Sequence, residues 1–181
     1  MSLRDCLIPI DRLMKEHGIP YAIIGGYAVA AWGDVRATRD IEILCAAGSL
    51  ETLVFALRKS GVHFEHRIGD ADDPISHVIR VRQGDAGALY DVDILAGIRG
   101  APPDLLTRVR SVSLDDLDAP VASPEDMVVL KLLGGSALDL EDARGILHFP
   151  KRKLDLALLR RLCPESLRQT CEALLSAESG T

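Results

Sequence analysis

Two stretches, Ile23-Ile24-Gly25-Gly26-Tyr27-Ala28 and Arg36-Ala37-Thr38-Arg39-Asp40-Ile41-Glu42-Ile43-Leu44, decide how this chain folds. A short apolar run stops at two glycines, a small-residue helix follows, and two carboxylates then alternate with isoleucines. Side chains on a strand have a period of two, so Asp40 and Glu42 leave one face while Ile41 and Ile43 enter the core. Two acids side by side repel each other, and a divalent cation between them offsets that repulsion. Leu89-Tyr90-Asp91-Val92-Asp93-Ile94-Leu95 repeats the pattern. Alternation alone is better read as a solvated strand face. With Asp93, the glycine turn and Arg36 added, it points to a site.

Outward from these strands, residues 2–17 read as an amphipathic helix stopped at Gly18, and Pro20 opens a strand from Tyr21 to Ile24. Tyr27 to Trp32 is a short helix ended at Gly33. A strand follows from about Thr38 to Cys45, then a helix from Leu50 to Lys59. Val62 to Arg67, Ser76 to Arg82 and Ala88 to Leu95 read as successive strands between Gly/Asp turns. After Pro102-Pro103 the chain is expected to turn helical, with a short extended piece near Val121. Ser123-Pro124-Glu125-Asp126 is a helix start, with Ser as N-cap, Pro at the first position and acids in the first turn. The helix over 124–133 is apolar on every side and therefore buried, with Lys131 its only basic residue. A lone buried ammonium is costly, so Lys131 either snorkels to water or faces an anion. Asp139 to Leu147 forms the next helix, and the last thirty residues form two more, broken at Pro164. The order predicts an α/β fold, a mixed sheet with flanking helices (residues 1–120) followed by a helical C-terminal portion (residues 121–181).

At 181 residues with 48% apolar and 4% aromatic content, the chain fills one core largely with aliphatic side chains. It carries no apolar run of membrane-spanning length and no leader, which predicts a cytoplasmic protein. A net charge of −6 argues against a surface that grips nucleic acid throughout. Lys151-Arg152-Lys153 with Arg160, Arg161 and Arg168 is a local basic patch, read first as a solvated helical face. The scattered cysteines (Cys6, Cys45, Cys163, Cys171) are expected to be buried thiols, and the five histidines show no metal-ligand spacing. Asp139 and Asp142 read as helix-start acids, and Asp91 as a surface acid that shares a face with Asp93.

Three carboxylates on neighbouring strands, a glycine turn opening a helix and a lysine on a buried helix fit metal-assisted phosphoryl transfer. Mg²⁺ takes one or two carboxylates plus substrate phosphates, and backbone N–H groups at Gly25-Gly26 suit a polyphosphate. Arg36 and Lys131 would neutralise the remaining charge.

The run Gly25-Gly26-Tyr27-Ala28, then Arg36-x-Thr38-x-Asp40-Ile41-Glu42-Ile43, resembles the signature of the DNA polymerase β-like nucleotidyltransferase superfamily. It is most similar to small bacterial members related to the abortive-infection toxin nucleotidyltransferases. Val92-Asp93-Ile94-Leu95 with Gly97-Ile98-Arg99-Gly100, and Ala122-Ser123-Pro124-Glu125-Asp126 with Lys131 and Asp139-Leu140-Glu141-Asp142, extend the resemblance over about residues 19 to 147. It implies a nucleotidyltransferase fold, with Asp40, Glu42 and Asp93 as catalytic Mg²⁺ or Mn²⁺ ligands. Gly25, Gly26, Arg36, Thr38 and Lys131 would bind a nucleoside triphosphate such as ATP. The implied acceptor is a hydroxyl on RNA (tRNA), protein or a small molecule, and an antitoxin protein is an implied partner. Three positions depart from the pattern: Glu42 where Asp is usual, Gly26 where Ser is frequent, and Ser136-Ala137-Leu138 where basic residues often precede the Asp. Glu at the second position also resembles aminoglycoside nucleotidyltransferases, so an antibiotic-modifying enzyme and a catalytically weak regulatory member stand as alternatives.

Overall fold

The computed structural model describes residues 3–33, 38, 40–82, 91–114, 116–148 and 153–178. Among these, α1 (Leu3–Glu16) buries Cys6, Leu7, Ile10, Leu13 and Met14, the helical spacing expected of an amphipathic element. Strand β1 (Tyr21–Ile24) runs into α2 (Gly25–Trp32), which begins two residues earlier than the sequence suggests, on the glycines themselves. Then come β2 (Asp40–Cys45), α3 (Leu50–Ser60), β3 (Phe64–Ile68), β4 (Ile75–Arg82) and β5 (Asp91–Ile98).

The segment after Pro102-Pro103 departs from expectation. A single 3₁₀ turn at Leu105–Thr107 gives way to a hairpin of β6 (Arg110–Leu114) and β7 (Leu117–Val121). Its turn places Asp116 at φ +60°, a conformation that Asp tolerates better than most residues. Val112, Leu114, Leu117, Ala119 and Val121 are the more buried side chains, and Ser111, Ser113 and Asp118 are exposed. The alternation is present in the sequence, but Pro120 obscures it, because Pro is disfavoured in strands. Here Pro120 pairs with Ser111 of β6, and the β7 register with β1 is confined to Ile23 opposite Val121.

The seven strands of the described residues form one mixed sheet in the order β3-β4-β5-β2-β1-β7-β6. β2 and β5 run parallel, with Asp40 opposite Asp91 and Glu42 opposite Asp93. β4 pairs antiparallel with β5 and sets Arg80 opposite Asp93. Ile41, Ile43, Val92 and Ile94 are buried, so the core pins this register: a one-residue slip would exchange the acids with the isoleucines.

α4 (Pro124–Gly134) starts as expected, with Asp126 N–H donating to Ser123 Oγ at 3.1 Å. It packs against α2, α5 (Ala137–His148) and α6 (Leu156–Leu162), and α7 (Arg168–Glu178) rests on α5. No helix of the described residues is long and apolar enough to cross a membrane.

Candidate functional site

Asp40, Glu42 and Asp93 come onto one face because β2 and β5 are in-register neighbours, about 4.8 Å apart. Asp40 is exposed, while Glu42 and Asp93 are half-buried. Burial pushes the Glu42 carboxyl above its ordinary range, and Asp93, Asp40 and Asp139 push the same way while Lys131 opposes them.

The two glycines leave room for side chains of the site. Gly25 sits at φ +65°, and a Cβ there would lie 1.7 Å from Glu42 Oε2. A Cβ on Gly26 would meet Thr38 Oγ1 at 2.8 Å. The chain thus crosses above Glu42 and Thr38 at a height only glycine permits. Arg36, named with Thr38 in the sequence, lies outside the described residues, as do Lys151 and Arg152 of the basic patch.

Lys131 faces anions rather than water. Its side chain is 11% exposed, and Nζ lies 2.9 Å from both Asp139 Oδ1 and Asp142 Oδ2. Burial alone would lower the ammonium pKa, and hydrogen bonds to Asp142 and Asp139 reverse that and raise it. Asp139 also accepts from Ser136 Oγ at 2.6 Å, while its own N–H donates back to that hydroxyl. The helix-start reading of Asp139 holds, with a lysine partner added. Between the sheet and α4 lies a cavity of about 280 Å³. Glu42, Gly25, Lys131 and Asp139 line it beside apolar residues including Leu95 and Met127.

Arg80 is a residue of this face that sequence reasoning misses. Its Nε donates to Asp93 Oδ1 at 2.8 Å and its Nη2 to Asp93 Oδ2 at 2.7 Å, a bidentate fork. The hydrogen bonds to Asp93, then the charges of Asp93, Asp91 and Asp40, hold the guanidinium pKa above its usual value. Strand alternation in Ser76 to Arg82 places Arg80 on a face. Only the β4–β5 register, set by residues far apart in the chain, brings it to Asp93.

The donor set suits a hard divalent cation in kind, being all carboxylate oxygen on one sheet face. Among the described residues no three His, Cys, Asp or Glu side chains are drawn together as a cation cage. Asp93 is turned to Arg80 instead, and Glu42 lies against Gly25. The residues fit such an ion by type and position; of the three acids, Asp93 has an internal cation, Arg80, as its side-chain partner in the described residues. Elsewhere, Arg160 pairs with Glu172 and Arg168 with Glu165, so two arginines of the basic patch have acidic partners. None of the four cysteines is in a disulfide and all four are buried, as expected.

Neither a family model nor a curated protein sequence matches the chain. Solved structures do match. The solution structure of the antibiotic-resistance factor ANT(2'')-Ia aligns with TM-score 0.59 at 15% identity, covering 98% of this chain and 97% of that one. The lincosamide antibiotic adenylyltransferase LnuA, solved with lincomycin bound, aligns with TM-score 0.51 at 16% identity over 82% of this chain and 98% of its own. An antigenic nucleotidyltransferase-like protein from Paracoccidioides brasiliensis gives TM-score 0.52 at 20% identity, covering 93% and 88%. The chain has the nucleotidyltransferase fold, with a helical C-terminal region.

Proposed function

We propose that this protein is a metal-dependent nucleotidyltransferase that moves a nucleoside monophosphate from a nucleoside triphosphate to an acceptor hydroxyl. The observation that carries the reading is the β2–β5 register. It sets Asp40, Glu42 and Asp93 on one face, at the same end of the sheet as Gly25-Gly26 and Lys131. In this reading residues 1–120 form the catalytic core, and residues 121–181 form a helical portion that contributes Lys131.

Asp40, Glu42 and Asp93 would hold Mg²⁺ or Mn²⁺, which when bound neutralises phosphate charge and lowers the pKa of a coordinated hydroxyl. Asp93 takes the proton of the acceptor hydroxyl. The acceptor oxygen attacks the α-phosphorus in line, the bond to the bridging oxygen breaks, and pyrophosphate leaves. Gly25-Gly26, at the start of α2, offers backbone N–H groups to the triphosphate, with Thr38 beside Gly26; the sequence resemblance adds Arg36 to the same role. Lys131 brings a cation to the cavity, and its pairing with Asp139 and Asp142 fixes where that charge sits.

The sequence resemblance supports tRNA or a protein as acceptor, within a toxin–antitoxin pair. A second reading, an antibiotic as acceptor, is favoured by structural neighbours whose names are those of antibiotic-modifying enzymes and whose lengths this chain nearly spans. The test is label transfer from α-labelled nucleoside triphosphates, with Mg²⁺ or Mn²⁺, to cellular RNA, protein and a panel of lincosamides and aminoglycosides. Wild type should label one pool and Asp93→Asn none. Absence of transfer to every pool, with metal binding intact, would leave a regulatory nucleotide-binding protein as the better account.

A further inference from the structure

The fork between Arg80 and Asp93 occupies both oxygens of the carboxylate to which the proposed reaction gives a metal and a proton. Asp93 is held on a central strand and its side chain is 14% exposed, whereas Arg80 is 46% exposed on the adjacent strand. One partner is fixed and the other can move into solvent.

We infer that Arg80 is a built-in counter-cation that keeps Asp93 from metal until a nucleoside triphosphate draws the guanidinium away. The inference rests on the nucleotidyltransferase reading and assigns Arg80 a positioning role within it. Three observations carry it. The bidentate geometry is the strong form of an arginine–carboxylate contact and takes one lone pair of each Asp93 oxygen, so a divalent cation competes with the guanidinium for that carboxylate. The acids of this face, Asp40, Glu42, Asp91 and Asp93, lie on two adjacent strands and require positive charge when no metal is there, which Arg80 supplies. A guanidinium that binds a carboxylate bidentately binds phosphate the same way, and a triphosphate carries the larger charge. Nucleotide arrival and cation entry at Asp93 thereby become one coupled event. Coupling is reciprocal, so metal must strengthen triphosphate binding by the factor by which triphosphate strengthens metal binding.

The experiment is Mn²⁺ titration of the whole chain by electron paramagnetic resonance, without nucleotide and then with a non-hydrolysable nucleoside triphosphate. Wild type, Arg80→Gln and Asp93→Asn are compared after circular dichroism has shown that each is folded. Without nucleotide, Arg80→Gln should bind Mn²⁺ about tenfold more tightly than wild type, a typical size for such coupling. The analogue should tighten Mn²⁺ binding in wild type more than in Arg80→Gln, beyond the contribution of metal bound to the nucleotide alone. Equal affinity in wild type and Arg80→Gln, with Asp93→Asn weaker than both, overturns the role of Arg80 while the metal site stands. Absence of Mn²⁺ binding in all three overturns the inference and the metal site together. Label transfer then judges the parent reading on its own terms.

Discussion

Two arginine–aspartate forks of similar geometry sit in opposite environments. Arg108 grips Asp126 at 3.0 and 2.6 Å, and the Asp126 side chain is 0% exposed. Arg80 grips Asp93 at 2.8 and 2.7 Å on an open strand face. Asp126 has no water to turn to, and its other contacts, from Ser123 Oγ and into the cap of α4, fix it further. Arg108 also donates to Pro103 O at 2.8 Å, which ties the approach to the β6–β7 hairpin onto α4. The buried fork therefore holds elements together, and the open one holds a charge that can be exchanged. Geometry alone does not distinguish them; burial does.

The largest effect should come from breaking the buried fork. Arg108→Met leaves Asp126 as an uncompensated charge in the interior and should cost about 3 kcal/mol. Arg80→Gln should cost less than about 1 kcal/mol, as exposed pairs do. Urea unfolding of both variants measures the contrast, and equal losses would erase the distinction between a structural fork and an exchangeable one.

A smaller effect separates the two glycines. Gly25→Ala must place an L-residue at φ +65° and drive the Glu42 carboxylate aside, whereas Gly26→Ala meets only Thr38. The left-handed backbone adds about 1–2 kcal/mol at Gly25, because Glu42's flexible end can yield but the backbone cannot. Thermal unfolding should rank Gly25→Ala as the less stable of the two. The reverse ranking would show that Thr38, not the backbone conformation, sets the need for glycine here.

The same contrast explains what the sequence makes legible. β1, β2, α3 and α4 are readable because local signals agree there: alternation around Asp40 and Glu42, a glycine stop at Gly61, a Ser-Pro-Glu-Asp start at Ser123. The hairpin after Pro103 is not, because Pro120 contradicts the strand pattern and its acceptance depends on which neighbour strand lacks a partner beside it. Asp40, Glu42, Asp93 and Lys131 stand out because acids and a lysine interrupt apolar runs. Arg80 does not, since an arginine on an exposed strand face is ordinary until β4 is placed against β5. The partners of Lys131 are hidden for a related reason: Asp139 and Asp142 satisfy a helix start whether or not a lysine from α4 reaches them.

The smallest effect concerns Glu42, the most electrostatically perturbed of the three site acids. Glu42 has its pKa raised above the ordinary 4.5, chiefly by burial, with Asp93, Asp40 and Asp139 adding and Lys131 opposing. A carboxyl whose pKa is higher in the folded than in the unfolded chain binds its proton more tightly when folded. Below the unfolded value both states are protonated and the charge imposes no penalty. As pH rises through the folded value, the native state acquires an unfavourable charge and stability falls. Glu42→Gln removes that charge, so without metal its Tm should exceed that of wild type at neutral pH. The gain should be smaller than the Gly25→Ala loss and should vanish as pH falls below 4.5. Melting curves across that range, repeated with Mn²⁺, supply the check: the cation should stabilise wild type and leave the variant nearly unmoved. A gain that is independent of pH would mean that the amide packs better than the carboxyl it replaces rather than carrying less charge, and that Lys131 already balances Glu42 without a metal.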